Sequence, residues 1–327
     1  MLYATTRSKT DSYTAYRTLH DDKATDGGCY IPFRMPKFER SLVLKMKEQT
    51  FSETVSQVLN IFFSARITAW DVDCAIGKNA ARIIGKSRKV YLVKLWDNPD
   101  NSYTYICEKM FETICGDGSN DNVTEWAYIA IRISVLFGIY SLLQKEGVSS
   151  FDVCVNAESF SDPMAVWYAR YMGLPVGNII CACNEESALW DFVYRGEINE
   201  NIDGLERLVY ATLGYQETRR FLDTLENNRT YLLHPEQLKK LNQGLFVSVA
   251  GKGRAESVIT SFYGANDCIL DPETAISFGS LQDYRSRVGE STPTIVLWDE
   301  SPMKYLPEIM SATGLGESDI RSYTNNT

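Results

Sequence analysis

Five short apolar segments, each followed by a helical pattern, constrain the fold of this 327-residue chain more than any other feature. The segments are "KVYLVKLW" at 89–96, "FDVCVNA" at 151–157, "NIICACN" at 178–184, "GLFVSVA" at 244–250 and "TPTIVLW" at 292–298. Strands that alternate with helices build a mostly parallel sheet, because each parallel connection needs a crossover element. The sequence therefore predicts a three-layer α/β fold, in which a mostly parallel twisted sheet carries helices on both faces.

The first 88 residues have a different character and predict a small N-terminal domain. Residues 1–50 are polar and irregular around the turn "TDGGCYIP", and two helical patterns follow at 51–65 and 68–84. We therefore divide the chain into an N-terminal domain at 1–88 and a large α/β domain at 89–327.

Three junctions place an Asp or Ser directly before a Pro and a helical pattern: Asp162-Pro163, Asp271-Pro272 and Ser301-Pro302. Asp and Ser are good helix N-caps, and Pro suits the first helical turn. The first and third junctions follow apolar strands, so they would bring helix N-termini to the carboxyl end of the sheet, where open α/β sheets bind ligands. Ordinary capping is the simpler interpretation, and a ligand pocket is the alternative.

Charge and hydropathy argue against nucleic acid and membrane as partners. The chain has 33 basic and 42 acidic residues, a formal charge of −9, and no basic stripe. The longest apolar run, from Ala127 to Leu143, is interrupted by Arg132 and Ser134 and is shorter than the ~20 residues of a membrane span. It predicts a buried helix. The first residues show no apolar signal region, so we expect no export.

The cysteine pattern indicates reduced thiols and not a metal centre. Eight cysteines form no CxxC pair, and the chain has only two histidines. Cys181 and Cys183 alternate in an apolar segment, which would place both thiols on one face of a strand. We expect no metal site and a cytoplasmic protein.

The opening stretch resembles the N-terminus of threonine synthase. That family has a Tyr and a Thr-Arg pair before a helix, then an Asp-Gly-Gly turn and a Tyr-x-Pro strand that ends near a further Pro. The matching residues here are Tyr3, Thr6-Arg7, Asp26-Gly27-Gly28, Tyr30, Pro32 and Pro36. Similar stretches follow in the family's order, namely "YARYMGLPVGNIICACNEESALWDFVYRGE", "IDGLERLVYATLG", "ILDPETAISFGSL" and "WDESPMKYLPEIM".

The resemblance implies the tryptophan-synthase-β fold type and a pyridoxal-phosphate enzyme that makes threonine from phosphohomoserine. The family's cofactor lysine follows a strand, in a stretch that matches "LWDNPDNSYTY" here. Pro99 and Tyr103 match, but the lysine position is Thr104, whose hydroxyl cannot form a Schiff base. Lys94 lies on the strand and Lys109 lies more than a helical turn further on, so neither is placed for the same reach.

The family's phosphate loop, Gly-Asn-Phe-Gly-Asp, is also altered. Its positions correspond to Glu158, Ser159, Phe160, Ser161 and Asp162. Phe160 and Asp162 match, whereas both glycines are replaced, and Glu158 adds a negative charge where an anion would sit. We therefore expect that this loop caps a helix and holds no phosphate.

Asn122 lies only 18 positions after Thr104 (122 − 104), whereas one βα unit needs ~30 residues, so we expect the family's small substrate domain to be deleted. The segment "CGDGSNDN" would bridge the gap. The deletion would also bare the apolar segment "EWAYIAIRISVLFGIYSLL", so we expect either neighbouring residues or another chain, most simply a second copy, to cover it.

These losses predict a threonine synthase-like protein without pyridoxal-phosphate catalysis, which has a binding or assembly role and no expected cofactor. A first alternative is a pyridoxal-phosphate-dependent threonine synthase or related lyase that uses a non-standard lysine. A second alternative is an anion binder that uses the turn Gly251, Lys252, Gly253 and Arg254 at the start of a helix.

Overall fold

The structure is a computed structural model of the chain that describes residues 1–327 except 117–121, 185–186, 201, 203 and 290–291, and except the side chains of Lys86 and Lys252. The N-terminal elements are β1 (Leu2–Thr5), β2 (Tyr13–Thr14), α1 (Ala15–His20), β3 (Tyr30–Pro32), α2 (Arg40–Lys45), a 3-10 turn (Met46–Glu48), α3 (Phe51–Phe63) and α4 (Ala69–Ile76). Strands β1, β2 and β3 form a three-stranded antiparallel sheet in the order β2-β1-β3.

The remaining elements build a larger α/β layer structure. Its first half contains β4 (Arg82–Ser87), β5 (Val90–Lys94), α5 (Tyr103–Cys115), α6 (Glu125–Lys145), β6 (Phe151–Asn156), α7 (Ser161–Tyr171), β7 (Val176–Cys183), α8 (Ala188–Arg195) and β8 (Glu197–Ile198). Its second half contains α9 (Leu205–Leu213), α10 (Tyr215–Glu226), β9 (Tyr231–Leu232), α11 (Pro235–Leu241), β10 (Leu245–Val249), α12 (Lys252–Asn266), α13 (Pro272–Val288), β11 (Thr294–Trp298), a 3-10 turn (Pro302–Tyr305), α14 (Leu306–Thr313) and α15 (Glu317–Asn326).

The central sheet has six strands in the order β10-β7-β6-β11-β5-β4. All pairs are parallel except the pair of β4 with β5. The five segments predicted to be strands are the five parallel strands, so the mostly parallel α/β fold with a small N-terminal part is confirmed. Strand β4 was not predicted.

The second predicted helix, at 68–84, is wrong in its C-terminal part, because strand β4 begins at Arg82. The helix α4 ends at Ile76, because Gly77 turns the backbone to a φ of +80°, a conformation that suits glycine. Arg88 and Lys89 then adopt φ values of +46° and +61° in the two-residue turn that joins β4 to β5. The predicted domain boundary at residue 88 falls inside this hairpin. Because β4 pairs with β5, it belongs to the large sheet.

Side chains on the central strands alternate between the two faces. On β7, Cys181 and Cys183 join the larger core cluster together with α6 and α7, whereas Ile180 and Ala182 join a second cluster with α12 and α13. Both thiols are buried on the same face, as their spacing predicts.

Helix α6 is the central helix of the larger core. By length and composition it could cross a membrane, but 89% of its most apolar window is buried within the protein, as in the core helix of a globular domain. It packs so closely on α3 that a Cβ atom on Gly138 would lie 2.7 Å from the Phe51 ring. The apolar segment that we expected to be covered by neighbouring residues or by another chain is therefore buried within the chain itself.

The connection from α5 to α6 is short, and it lies where we expect the family's substrate domain to be deleted. Helix α5 ends at Cys115 and α6 begins at Glu125, and the bridging segment "CGDGSNDN" lies mostly outside the described residues. In the described part of the chain there is one large sheet and no second α/β lobe.

Charged side chains fasten the N-terminal sheet to helix α9. Glu206 accepts hydrogen bonds from the Thr6 hydroxyl and from Arg7, whose Nη2 atom lies 3.1 Å from Oε2. Arg207 donates to the Tyr30 carbonyl and pairs with Glu125 at the start of α6 at 3.1 Å. The small sheet is thus held by residues far away in the sequence.

Candidate functional site: the carboxyl end of the central sheet

The loop after β6 and the start of α7 lie at the carboxyl end of the sheet, where this class of fold binds ligands. The structure corrects the expected cap. Helix α7 begins at Ser161 with Phe160 at the N-cap position, and no side chain caps it. Asp162 lies inside the first turn, and its carboxylate bonds to α6 instead. The Asp-Pro signature failed here because a tertiary partner takes the carboxylate.

That partner is Arg132, which is 1% exposed in the middle of α6. Its Nε atom donates to Asp162 Oδ1 at 2.7 Å, and Nη1 and Nη2 donate to the two carboxylate oxygens of Asp299 at 2.8 Å each. The Tyr128 hydroxyl donates to Asp162 at 2.9 Å, and the guanidinium carbon lies 3.4 Å from the centroid of the Tyr103 ring. We call these five residues the arginine clamp.

The arginine clamp ties together the elements that surround the crevice. Arg132 and Tyr128 come from α6, Asp162 from α7, Tyr103 from α5, and Asp299 follows β11. The Tyr103 amide also donates to the Asp299 carbonyl at 2.7 Å, which holds the start of α5 beside β11. The clamp therefore closes the space between the strand ends.

The electrostatics of the arginine clamp favour a closed internal ion cluster. Burial alone would lower the pKa of Arg132, but the Asp162 and Asp299 carboxylates raise that pKa well above its ordinary value. Burial and the neighbouring Asp299 raise the pKa of Asp162, although Arg132 opposes the shift. Since two carboxylates face one guanidinium, this cation is saturated.

Two backbone amides of the loop are also occupied. The Glu158 amide donates to Asn156 Oδ1 at 2.8 Å, and the Ser161 amide donates to Ser159 Oγ at 3.3 Å. Gly204, at a φ of +85°, lies so close that a Cβ atom there would be 2.9 Å from the Ser161 nitrogen. A phosphate held by backbone amides needs them free and open on one side, and these amides are neither.

A cavity of about 440 Å³ opens beside the loop, between α12, α13 and the 3-10 turn at Pro302–Tyr305. Apolar side chains, including Ile259 and Ile276, line it together with four acidic residues, Glu158, Glu256, Glu273 and Glu308. Burial first, and then the nearby acids, raise the pKa of Glu273, whose carboxylate accepts from the Tyr305 hydroxyl at 2.6 Å. No basic side chain is among the described residues that line it, so this cavity would repel a phosphate.

A second hollow, of about 390 Å³, lies on the other side of the loop against Ser159, Ser161 and Asp162. Its base is Lys23, whose ammonium lies 2.7 Å from Glu125. Burial opposes the charge of Lys23, but nearby acidic groups raise its pKa. This cation is therefore also neutralised by the chain itself.

The three lysine-related positions lie apart. Thr104 is exposed on the first turn of α5. Lys109 lies further along α5 and pairs with Glu112 at 2.8 Å. Lys94 is 2% exposed at the end of β5, with its ammonium 3.7 Å from the centroid of Trp96. Burial, and then Arg82, lower the pKa of Lys94 to about 8.

The turn proposed as an anion binder starts α12, with Gly251 at the N-cap position and Gly253 in the first turn. Arg254 donates to Asp283 at 2.8 Å and to the Gly279 carbonyl at 2.8 Å, so its guanidinium is engaged in joining α12 to α13. The Lys252 side chain lies outside the described part of the chain.

The other two Pro junctions behave as caps. Asp271 accepts from the amides of Glu273 and Thr274 at the start of α13, and Ser301 accepts from the Met303 amide in the 3-10 turn. Among the described residues, no cluster of three or more Cys, His, Asp or Glu side chains could hold a metal. The roles of Asp299 and Arg132 were not predicted, although an arginine inside a long apolar run indicates a buried charge that needs a partner.

Fold and site together define an α/β protein built on the threonine synthase scaffold, with internal ion pairs at the phosphate-loop position. The chain is similar to pyridoxal-phosphate-bound threonine synthase from Brucella melitensis, with a TM-score of 0.80 and 16% identity over 98% of this chain and 94% of that one. Yeast threonine synthase gives a TM-score of 0.80 and 14% identity over 97% and 90%. At these identities the similarity shows the fold.

Residues 2–79 match the family model described as threonine synthase N terminus. Human threonine synthase-like 1 is 26% identical over 241 residues, which cover 67% of this chain and 32% of that protein. Threonine synthase from Pseudomonas aeruginosa is 25% identical over 215 residues, which cover 60% and 45%. The chain is therefore similar to the threonine synthase family in its N-terminal residues, in its fold and over two thirds of its sequence, and it spans about a third of the length of the threonine synthase-like 1 proteins that it matches.

Proposed function

We propose that this chain is a threonine synthase-like protein that does not perform pyridoxal-phosphate catalysis and that uses the inherited scaffold for binding or assembly. The observation that carries the proposal is the arginine clamp. A phosphate at the start of α7 would compete with Asp162 for Arg132, and it would meet the charge of Glu158 in the same loop. Two like charges about 4 Å apart repel each other by on the order of 1–4 kcal/mol, depending on the local dielectric.

The residues present do not fit pyridoxal phosphate in the family's arrangement. The lysine position is the exposed Thr104, and the loop amides of Glu158 and Ser161 donate to the chain's own side chains. Freeing those amides would break two internal hydrogen bonds, each worth about 0.5–1.5 kcal/mol. The loss of covalent attachment and of phosphate binding have separate causes, and one substitution would not restore both.

A second candidate function is pyridoxal-phosphate chemistry at a non-standard lysine. One observation favours Lys94 for it, since a pKa of about 8 leaves a substantial fraction of the amine neutral near physiological pH. Against it, the lysine is 2% exposed and lies against Trp96. Lys109 is the weaker choice, because Glu112 raises its pKa.

An absorbance and mass-spectrometric experiment separates the two functions. The purified protein is mixed with one equivalent of pyridoxal phosphate, and its absorbance is scanned between about 300 and 500 nm. It is then reduced with borohydride and digested, and the peptides are analysed by mass spectrometry. We expect no resolved cofactor band and only scattered, substoichiometric labelling of exposed lysines. A single stoichiometric adduct that disappears in Lys94→Met and persists in Lys109→Met would overturn the proposal and establish the second candidate.

Self-association is part of the same proposal, in the form of a homodimer or a complex with another protein. The apolar surface of α6 gives no reason to expect a partner, since this helix is buried within the chain. What remains is a crevice without a closing domain in the described residues. Size exclusion with light scattering tests self-association at tens of micromolar protein, roughly the range where homodimers with micromolar dissociation constants form. A strictly monomeric mass would leave only the binding role.

A further inference from the structure

The central sheet carries a second feature, on the face opposite α6, that the proposed function does not use. Arg82, Lys94 and Trp298 are direct neighbours in register across β4, β5 and β11. Residues paired in register point to the same face of a sheet, so two cations and an indole stand side by side there. We call Arg82, Lys94, Trp96 and Trp298 the donor row.

The donor row lacks acceptors. Apart from the contact of the Lys94 ammonium with the Trp96 ring, neither the Lys94 nor the Arg82 side chain forms an ion pair or a hydrogen bond with any described residue. The Arg82 Nε atom and the indole nitrogens of Trp96 and Trp298 are buried without a hydrogen-bonding partner. The two indoles are at most 1% exposed, and their ring centroids lie 5.2 Å apart. Buried polar groups in native proteins are nearly always satisfied, by protein, water or an ion.

The two cations are not balanced by nearby charge. The groups that influence the Lys94 ammonium are Arg82 from β4, Cys268 from the loop before α13, and Asp97 from the loop after β5. Asp97 is exposed and lies outside ion-pair distance, and burial raises the pKa of the Cys268 thiol to about 11, which keeps it neutral. Two adjacent positive charges therefore face one another without a carboxylate between them. An isolated buried charge of this kind is costly unless something pairs with it.

We infer that the donor row is a binding site for a compact oxyanion, of the size and charge of sulfate or phosphate. Such an anion would accept from the Lys94 ammonium, the Arg82 guanidinium and the free indole N–H groups, and it would neutralise the repulsion between the two cations. Half-buried Arg82 lies on β4, the edge strand of the sheet, and gives the site its solvent side. The site is separate from the arginine clamp, whose cation is already saturated.

The inference predicts a pH dependence with a definite sign. The anion binds the protonated form of Lys94, whose pKa is about 8 in the free protein. Affinity is then constant below about pH 7 and falls about tenfold for each pH unit above 8, until the pKa of the complex is reached. Sulfate is the best probe, because its own charge does not change in this range.

Isothermal titration calorimetry with sodium sulfate at pH 6.5, 8.0 and 9.5, at constant ionic strength, tests the site. We expect a dissociation constant on the order of 1 mM or lower at pH 6.5, at least about tenfold weaker binding at pH 9.5, and loss of binding in Lys94→Met and in Arg82→Gln. Lys109→Met removes an exposed lysine on α5 and should leave binding unchanged. An acetate arm separates a tetrahedral from a planar preference.

Arg82→Gln alters a half-buried edge position, so it decides the question if Lys94→Met fails to fold. Three results would overturn the inference. They are no sulfate binding at 50 mM, roughly fifty times the expected dissociation constant, binding that does not depend on pH, and binding that is unchanged in Arg82→Gln. The outcome is distinguishable from that of the proposed function. A borohydride-fixed cofactor adduct on Lys94 would end the proposed function while leaving an anion site there in place.

Discussion

Replacement of Arg132 by Met is the most informative perturbation of the crevice. The substitution keeps the length and apolar stem of the side chain but removes the charge that holds Asp162 and Asp299. Arg132 then loses one hydrogen bond to the Tyr128 hydroxyl and three to carboxylates, and each of those three is worth about 1.5–3 kcal/mol. The carboxylates are 17% and 22% exposed, so water recovers part of that sum. We expect the free energy of unfolding to fall by about 3–5 kcal/mol at pH 7.5.

The loss should depend on pH, and its sign follows from linkage. Without Arg132, the carboxylates of Asp162 and Asp299 repel each other, and nothing opposes the rise that burial and Asp299 cause in the folded pKa of Asp162. A carboxyl whose folded pKa is raised contributes its stability at low pH and loses it as pH rises through the folded pKa. The deficit of Arg132→Met should therefore be smaller at pH 5 than at pH 7.5. Adding Asp162→Asn and Asp299→Asn should recover part of the stability at pH 7.5.

Urea unfolding followed by circular dichroism measures these differences. Arg195→Met is the matched control, because Arg195 is 60% exposed and forms a surface pair with Asp191, which is worth at most about 1 kcal/mol. If Arg132→Met costs no more than Arg195→Met, or if its deficit does not change with pH, the arginine clamp does not hold the crevice closed and the argument for the proposed function loses its support.

Three further predictions concern packing, capping and acid stability. Gly138→Ala should destabilise the protein by about 1–3 kcal/mol in urea, because the new Cβ meets Phe51, whereas Gly264→Ala in α12, with open space around it, should be neutral or slightly stabilising. Burial raises the pKa of Asp271 to about 7, so stability should fall as pH rises from about 4 to 7, and Asp271→Asn should flatten that part of a pH titration of the unfolding midpoint. Burial would raise the pKa of Glu125, but Arg207 and Lys23 lower it to about 2. The contribution of Glu125 to the free energy of unfolding is therefore present above about pH 4.5 and should be lost as pH falls towards 2. Glu125→Gln should reduce this acid sensitivity in the same titration.

The five parallel strands of the large sheet could be predicted because they are nearly continuous apolar segments, each followed by a helical pattern. Strand β4 could not. Its sequence "RIIGKS" is short and half polar, and it continues a helical pattern without a clear break. Only its pairing with the strong strand β5 defines it, and pairing is a tertiary property.

Asp162 and Asp271 show the same limit at the site. Both precede a Pro and both match the cap signature, but only Asp271 caps its helix. Local sequence could not separate them, because the difference is Arg132, which comes 30 residues earlier and meets Asp162 only in the folded chain. The replaced lysine and loop positions were visible from the family resemblance, whereas the ion pairs that fill the crevice were not.

The contacts between the N-terminal sheet and α9 have a consequence for the order in which the chain can fold. Thr6 and Glu206 are 200 residues apart, and Tyr30 and Arg207 are 177 apart. During synthesis from the N-terminus, β1 and β3 emerge long before the helix that anchors them. Tyr3 can contact Phe62 and Trp126 earlier, but the hydrogen bonds to Glu206 and Arg207 cannot form until residue 207 has been made. The N-terminal sheet therefore reaches its complete set of native contacts late, although its strands are among the first residues to be translated.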